Sequence, residues 1–212
     1  MSRDPVAAIG ATTRSVEKRI HDGVAVHAVI AGRTYPTDAA DLWDAITNAE
    51  RIPRWFLPVS GELRLGGRYQ FEGNAGGTVT ACEPPRRLAA TWEFAGQVSW
   101  VTVTLSADGA ATQLTLEHLV PDDDHWRRFG PGAVGLGWDS GFMGLGNYLA
   151  GGIGVTPATA AAWLATPAAT AFFRNSCVGW LAADLAGGEA AVPARQRADQ
   201  TLAAYTGGTA HL

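Results

Sequence analysis

Two periodicities divide the chain. Residues 24–35 are rich in Val and Ile and predict a strand, ended by Pro36 and Thr37. Ala39, Leu42, Trp43 and Ile46 then fall at the spacing of one helix face, with Thr37 as the expected N-cap. A second short helix, capped by Asn48 and limited in length by Pro53, is predicted through Trp55. From Gly61 the period changes to two. Tyr69 and Phe71 alternate with Arg68, Gln70 and Glu72, after a turn at Gly66–Gly67. Gly76–Gly77 reads as another turn before Thr78–Cys82, in which Val79 and Ala81 share a face and Cys82 takes the polar one. Beyond Pro84–Pro85, Leu88, Ala90, Trp92 and Phe94 alternate with Ala89, Thr91 and Glu93. Val101, Val103 and Leu105 lead to Asp108–Gly109, then Leu114, Leu116 and His118. An Asp-Gly pair between alternating runs marks a hairpin, because the tight turn needs positive φ. Roughly five antiparallel strands are expected after the helix pair.

The helical period returns over residues 132–150, where Val134, Trp138, Phe142, Leu145 and Leu149 form a stripe. Six glycines lie in this stretch, and each costs about 1 kcal/mol relative to alanine. Close tertiary packing, against a sheet, is the expected compensation, including at the Gly137–Gly141 pair. Thr156-Pro157 and Thr166-Pro167 each place an N-cap before a helix start. The second of these helices carries Phe173, Cys177, Trp180, Leu181 and Leu185 on one face, and Gly187–Gly188 stops it. A weaker helix runs from Pro193 to Gly207–Gly208. Residues 1–22 show no sustained period and read as an N-terminal arm.

This order is α+β. An antiparallel sheet solvates one face and packs the other, and the long helix is the element large enough to cover it. A curved sheet holding one helix leaves a cavity wherever inward side chains do not fill the space, and such apolar cavities are the usual small-molecule sites. The expected organisation is an arm at 1–22, a sheet-and-helix domain at 23–152 and a helical extension at 153–212. The extension either packs on the outside of the domain or completes a homodimer interface.

Composition narrows the function classes. Of 212 residues 47% are hydrophobic and 17% charged, with a net charge of −4, which excludes a disordered chain and a basic nucleic-acid binder. Two distant cysteines, Cys82 and Cys177, exclude a disulfide scaffold. No signal peptide is visible. The longest apolar-looking stretch, 130–155, contains Asp139, Asn147 and much glycine, so no membrane insertion is expected and a cytoplasmic location follows. Eight tryptophans exceed what a small core ordinarily needs.

The run YPTDAADLWDAITNAERIPRWFLPVSGELRLGGRYQF, followed by GGTVTACEPPRRLAATWEF, TQLTLEH and GPGAVGLGWD, closely resembles the START-like (SRPBCC) superfamily. Within it, the chain is similar to the homologues of the heat-shock-protein ATPase activator. The ending Ala203-Ala204-Tyr205-Thr206-Gly207 is similar to tails of actinobacterial members. The resemblance covers residues 24–152 and implies a helix-grip fold with a hydrophobic cavity. It does not imply chaperone activation, since fold does not fix function.

Candidate chemistry follows from parity. Tyr69, Phe71, Trp92, Trp138 and Phe142 fall on inward faces, and in the resembling fold Trp55 and Phe56 sit near a cavity mouth. They line a ligand site or simply fill a core. His118 shares the face of Leu114 and Leu116, and reads either as a ligand contact and general acid–base or as a core histidine bonded to a backbone carbonyl. Asp139 lies 100° around the helix from Trp138 and is expected in solvent. Asp122, Asp123, Asp124 and His125 lack the spaced partners of a metal site and read as an acidic loop or helix start. No cofactor is indicated. The reading is binding of a small hydrophobic molecule. The alternatives are a polyketide cyclase- or aromatase-like enzyme using His118 and Tyr69, and a protein-binding module like the co-chaperone.

Overall fold

The computed structural model describes residues 5–152, 154, 156–208 and 212. The first residues of the expected arm, 1–4, and residue 153, where the expected extension begins, lie outside the described residues. The strands are β1 (Thr13–His21), β2 (Val24–Tyr35), β3 (Val59–Gly61), β4 (Arg68–Phe71), β5 (Gly76–Glu83), β6 (Arg87–Phe94), β7 (Gln97–Asp108) and β8 (Ala111–Pro121). They form one antiparallel sheet in the order β1-β2-β8-β7-β6-β5-β4-β3. The helices are α1 (Pro5–Gly10), α2 (Ala39–Thr47), α3 (Asp124–Phe129), α4 (Gly132–Leu149), α5 (Pro157–Leu164), α6 (Pro167–Ala186) and α7 (Ala191–Thr206), with a single 3₁₀ turn at Ile52–Arg54. This is the α+β helix-grip fold. Among the described residues no helix is long and apolar enough to cross a membrane.

The chain divides into two compact units. One comprises Met1–Ala31, Leu119–Met143 and Thr156–Leu212, the other Gly32–His118 and Gly144–Val155.

In the second unit the helix pair starts slightly later than its pattern suggests. Asp38, not Thr37, caps α2: its Oδ1 accepts from the Asp41 amide at 2.8 Å. The Thr37 hydroxyl instead donates to the Asp41 carboxylate at 2.7 Å. Pro53 allows only a 3₁₀ turn, and Asn48 accepts from the Glu50 amide ahead of it. Two departures from strict alternation follow. Gly76 and Gly77 are not a turn but the start of β5, where Gly77 pairs with Tyr69. A β-bulge between Val79 and Ala81 inserts one residue, so Cys82 returns to the face of Val79 rather than the polar one. Val79, Tyr69 and Ala90 accordingly form a core cluster against which Cys82, Leu88, Phe71 and Trp92 pack. Phe94 keeps inward parity but is exposed, because it ends β6 at the Ala95–Gly96 turn.

In the first unit, residues 13–21 form strand β1, although the arm they belong to has no period. An outermost strand with only Val16 buried needs no alternation. Asp123 caps α3 by accepting from the Trp126 amide at 2.9 Å. Thr156 and Thr159 form a capping box on α5, Thr166 caps α6, and Gly207, at φ +63°, ends α7 in the left-handed region. The rings of Trp163, Phe172 and Phe173 meet at 5.5–6.0 Å. Trp126, for which periodicity suggests no role, is buried and stacks on His27 with centroids 3.9 Å apart.

Asp139 is not in solvent. It is 2% exposed and accepts from Arg14 Nη2 at 2.9 Å and Nε at 3.2 Å, from Trp180 Nε1 at 3.1 Å and from the Ser176 hydroxyl. Four donors thus surround one carboxylate of α4, two from Arg14 of β1 and two from Ser176 and Trp180 of α6. Gly135 makes room for this, since a Cβ there would lie 2.3 Å from the Trp180 indole. In the second unit, a Cβ on Gly144 would lie 2.3 Å from the Trp55 carbonyl. These two glycines of α4 give close packing, against an indole and a 3₁₀-turn carbonyl. Burial raises the Asp139 pKa, while Arg14 and the two neutral donors pull it down. Replacing Asp139 with alanine strands a buried guanidinium, so urea unfolding should show a loss of about 3–5 kcal/mol.

Candidate functional site

Within the second unit the chain brings six of the eight expected site residues into one aromatic wall. The Trp55 and Phe56 rings lie 5.6 Å apart just after the 3₁₀ turn. Phe56 meets Phe71 edge-on at 5.1 Å, and Phe71 meets Tyr69 at 5.4 Å and Trp92 at 5.7 Å. Trp92 in turn meets the His118 ring at 6.0 Å. The succession runs unbroken from the turn through β4 and β6 to β8. Tyr69 and His118 are buried, whereas Trp55, Phe56, Phe71 and Trp92 retain some accessible surface. The remaining two expected residues, half-buried Trp138 and buried Phe142, lie in the part of α4 that belongs to the first unit.

The polar atoms of Trp55, Tyr69 and His118 are engaged within the protein. Trp55 Nε1 donates to the Ala45 carbonyl at 2.9 Å. The Tyr69 hydroxyl donates to the Thr91 carbonyl at 2.7 Å. That bond depends on Gly77, the cross-strand partner of Tyr69: an added Cβ would lie 2.0 Å from the Thr91 oxygen. Burial, reinforced by the nearby Glu93 charge, pushes the Tyr69 pKa upward, so its hydroxyl holds its proton.

His118 is buried, and one of its partners is a side chain. Its Nε2 lies 2.8 Å from Ser99 Oγ, and the Ser99 hydroxyl donates to the Trp92 carbonyl at 3.1 Å. Complete burial pushes the His118 pKa down to about 3, which keeps the ring neutral near pH 7. Ser99 was not singled out by motif, yet Val101, Val103 and Leu105 give it inward parity, and that was the available signal. Asp122 pairs with Arg127 and Asp123 caps α3, which accounts for two members of the acidic run. No group of three or more potential metal ligands occurs among the described residues.

The model of the Activator of Hsp90 ATPase homolog 1-like proteins matches residues 36–150, more than half of the chain, and the chain belongs to this family. The solution structure of CalU16 from Micromonospora echinospora is 30% identical, with a TM-score of 0.71, over 84% of this chain and 97% of that one. The CalU16 crystal structure gives 29% identity, a TM-score of 0.67, and 82% and 98% coverage. DynU16, a protein of the dynemicin biosynthetic locus, is 25% identical with a TM-score of 0.53, over 60% of this chain and 48% of that one. An HSP90 activator from Plasmodium falciparum shares the fold at 22% identity and a TM-score of 0.51, over 58% of this chain and 96% of that one. Among curated proteins none matches the chain significantly.

Two measurements test this geometry. Gly77→Ala should cost about 1–3 kcal/mol by overpacking, read by thermal unfolding, and should break the Tyr69–Thr91 bond. For His118, the folded pKa lies below the unfolded one, so the unfolded chain binds the proton first. Its contribution is complete above about pH 6.5 and declines by roughly 1.4 kcal/mol per unit as pH falls toward 3. A His118→Gln variant should therefore lose less stability than the wild type between pH 7 and pH 5.

Proposed function

We propose that the protein binds a small, uncharged hydrophobic molecule against the aromatic wall of Trp55, Phe56, Phe71 and Trp92. The observation that carries this reading is the unbroken ring succession, in which the polar atoms of Trp55, Tyr69 and His118 bond to protein partners. Tilted and edge-on aromatic rings favour a flat apolar body, each ring pair formed with it adding about 0.5–1.5 kcal/mol beyond the area buried. The ring of His118 is neutral and fully buried, and the Tyr69 hydroxyl is tied to a backbone carbonyl. Neither is poised to move a proton near pH 7, which favours binding over a cyclase-like use of the same residues. Membership of a family with a ligand-binding fold supports the reading, as does the biosynthetic locus of DynU16.

Titration with the neutral fluorophore Nile red tests it. The expected result is saturable binding with a blue-shifted emission, weakened about tenfold in Trp92→Ala, which corresponds to about 1.4 kcal/mol. Absence of saturable binding, or equal binding by a Trp92→Ala protein with unchanged circular dichroism, would remove the wall as the site.

A further inference from the structure

A second candidate site lies in the first unit, away from the residues of the wall. An open groove of about 380 Å³ is lined by Lys18, Arg19 and Ile20 of β1, Ala25 and His27 of β2, and Asp122, the first residue after β8. The hairpin explains the grouping. Asp22 and Gly23 both have positive φ (48° and 80°) and form a two-residue turn. Counting back from it sets Ile20 opposite Ala25 and Lys18 opposite His27, on one face.

His27 is held rigidly. It is 5% exposed, and one ring face lies on Trp126 at 3.9 Å and 12°. Its Nε2 is 3.8 Å from Asp122 Oδ1, too far for a hydrogen bond. Neither ring nitrogen has a hydrogen-bond partner among the described residues. The ring nitrogens are not sealed off from solvent, so they open onto the groove, where a ligand can bond to them. Lys18, the sole lysine of the chain, forms no ion pair among the described residues, whereas Arg19 beside it is paired with Glu17 at 2.7 Å. Ile20, 72% exposed, supplies an apolar wall.

We propose that this groove binds a small organic monocarboxylate, with one oxygen on the Lys18 ammonium, the other on a His27 ring N–H, and the apolar body along Ile20 and Ala25. Asp122 sets the charge limit. Its carboxylate, shared with Arg127 at 3.7 Å, would repel a dianion such as a phosphate monoester more strongly than a monoanion. The Trp126 stack fixes the imidazole plane in advance, which reduces the ordering cost of binding.

A single lysine makes the test direct. In protein labelled with ¹³C-lysine, Lys18 gives one Cε correlation, and 4-fluorobenzoate serves as the probe, followed also by ¹⁹F NMR. The expected result is a saturable shift of the Lys18 signal. Affinity should fall about three- to fivefold in Lys18→Met and hold within about twofold in Lys18→Arg, the scale of one partly exposed ion pair. The neutral 4-fluorobenzyl alcohol should bind at least about tenfold more weakly, and Trp92→Ala should leave benzoate binding unchanged. Equal affinity for the acid and the alcohol, or undiminished binding by Lys18→Met, would overturn the proposal. Benzoate binding lost in Trp92→Ala but kept in Lys18→Met would assign the probe to the aromatic wall and overturn it as well.

Discussion

The carboxylate of Asp139 organises the first unit. A buried charge is costly in a protein interior unless it is paired and its lone pairs are filled. Asp139 meets that condition only when β1, α4 and α6 are all in place, because its partners are Arg14, Ser176 and Trp180. Arg14 in turn donates to the carbonyls of Ile9 and Thr12, and its guanidinium lies 5.7 Å from the Trp180 ring centroid. One charge pair therefore links segments that are far apart in sequence.

The second unit rests on a different device. Tyr69 crosses its glycine partner to reach the next strand, and the bulge after Val79 returns Cys82 and Leu88 to the same packed face. Both features let a three-strand segment present aromatic rings in succession while its backbone groups remain bonded. The glycine is constrained by space and not by dihedral angle, because the Thr91 carbonyl fills the volume a side chain would take.

Much of this was legible in the chain itself. The alternation of Leu114, Leu116 and His118 placed three residues that are all buried, and the Thr-Pro pairs marked α5 and α6 at the right positions. What escaped were features set by neighbours. A bulge leaves no mark on residue pattern, so Cys82 took the wrong parity. Gly76–Gly77 carries turn chemistry, yet its reason for being glycine lies in Tyr69 and Thr91, on two other strands. Asp139 sits on a helix buried on more than one side, where a polar residue is a guide to solvent only if no partner arrives from elsewhere. Arg14 arrives from 125 positions away in sequence. Strand β1 had no periodic signal because the edge of a sheet imposes little. In the candidate site, the ring residues were visible by parity, while the Ser99 link to His118 required the register of β6 with β7, in which Trp92 faces Ser99.

The internal engagement of Trp55, Tyr69, Ser99 and His118 has a consequence for discrimination. Sites that reject close analogues by large factors do so because a missing ligand hydroxyl leaves a protein group unpaired. Where the wall's donors at Trp55, Tyr69 and Ser99 are already bonded, there is no such penalty to impose. It would grade apolar molecules gently, by roughly 1–3 kcal/mol per methylene, and would turn away mainly those carrying polar groups that find no partner there. Selectivity of that kind is tolerant by construction, and a change of preferred molecule would require reshaping only one ring.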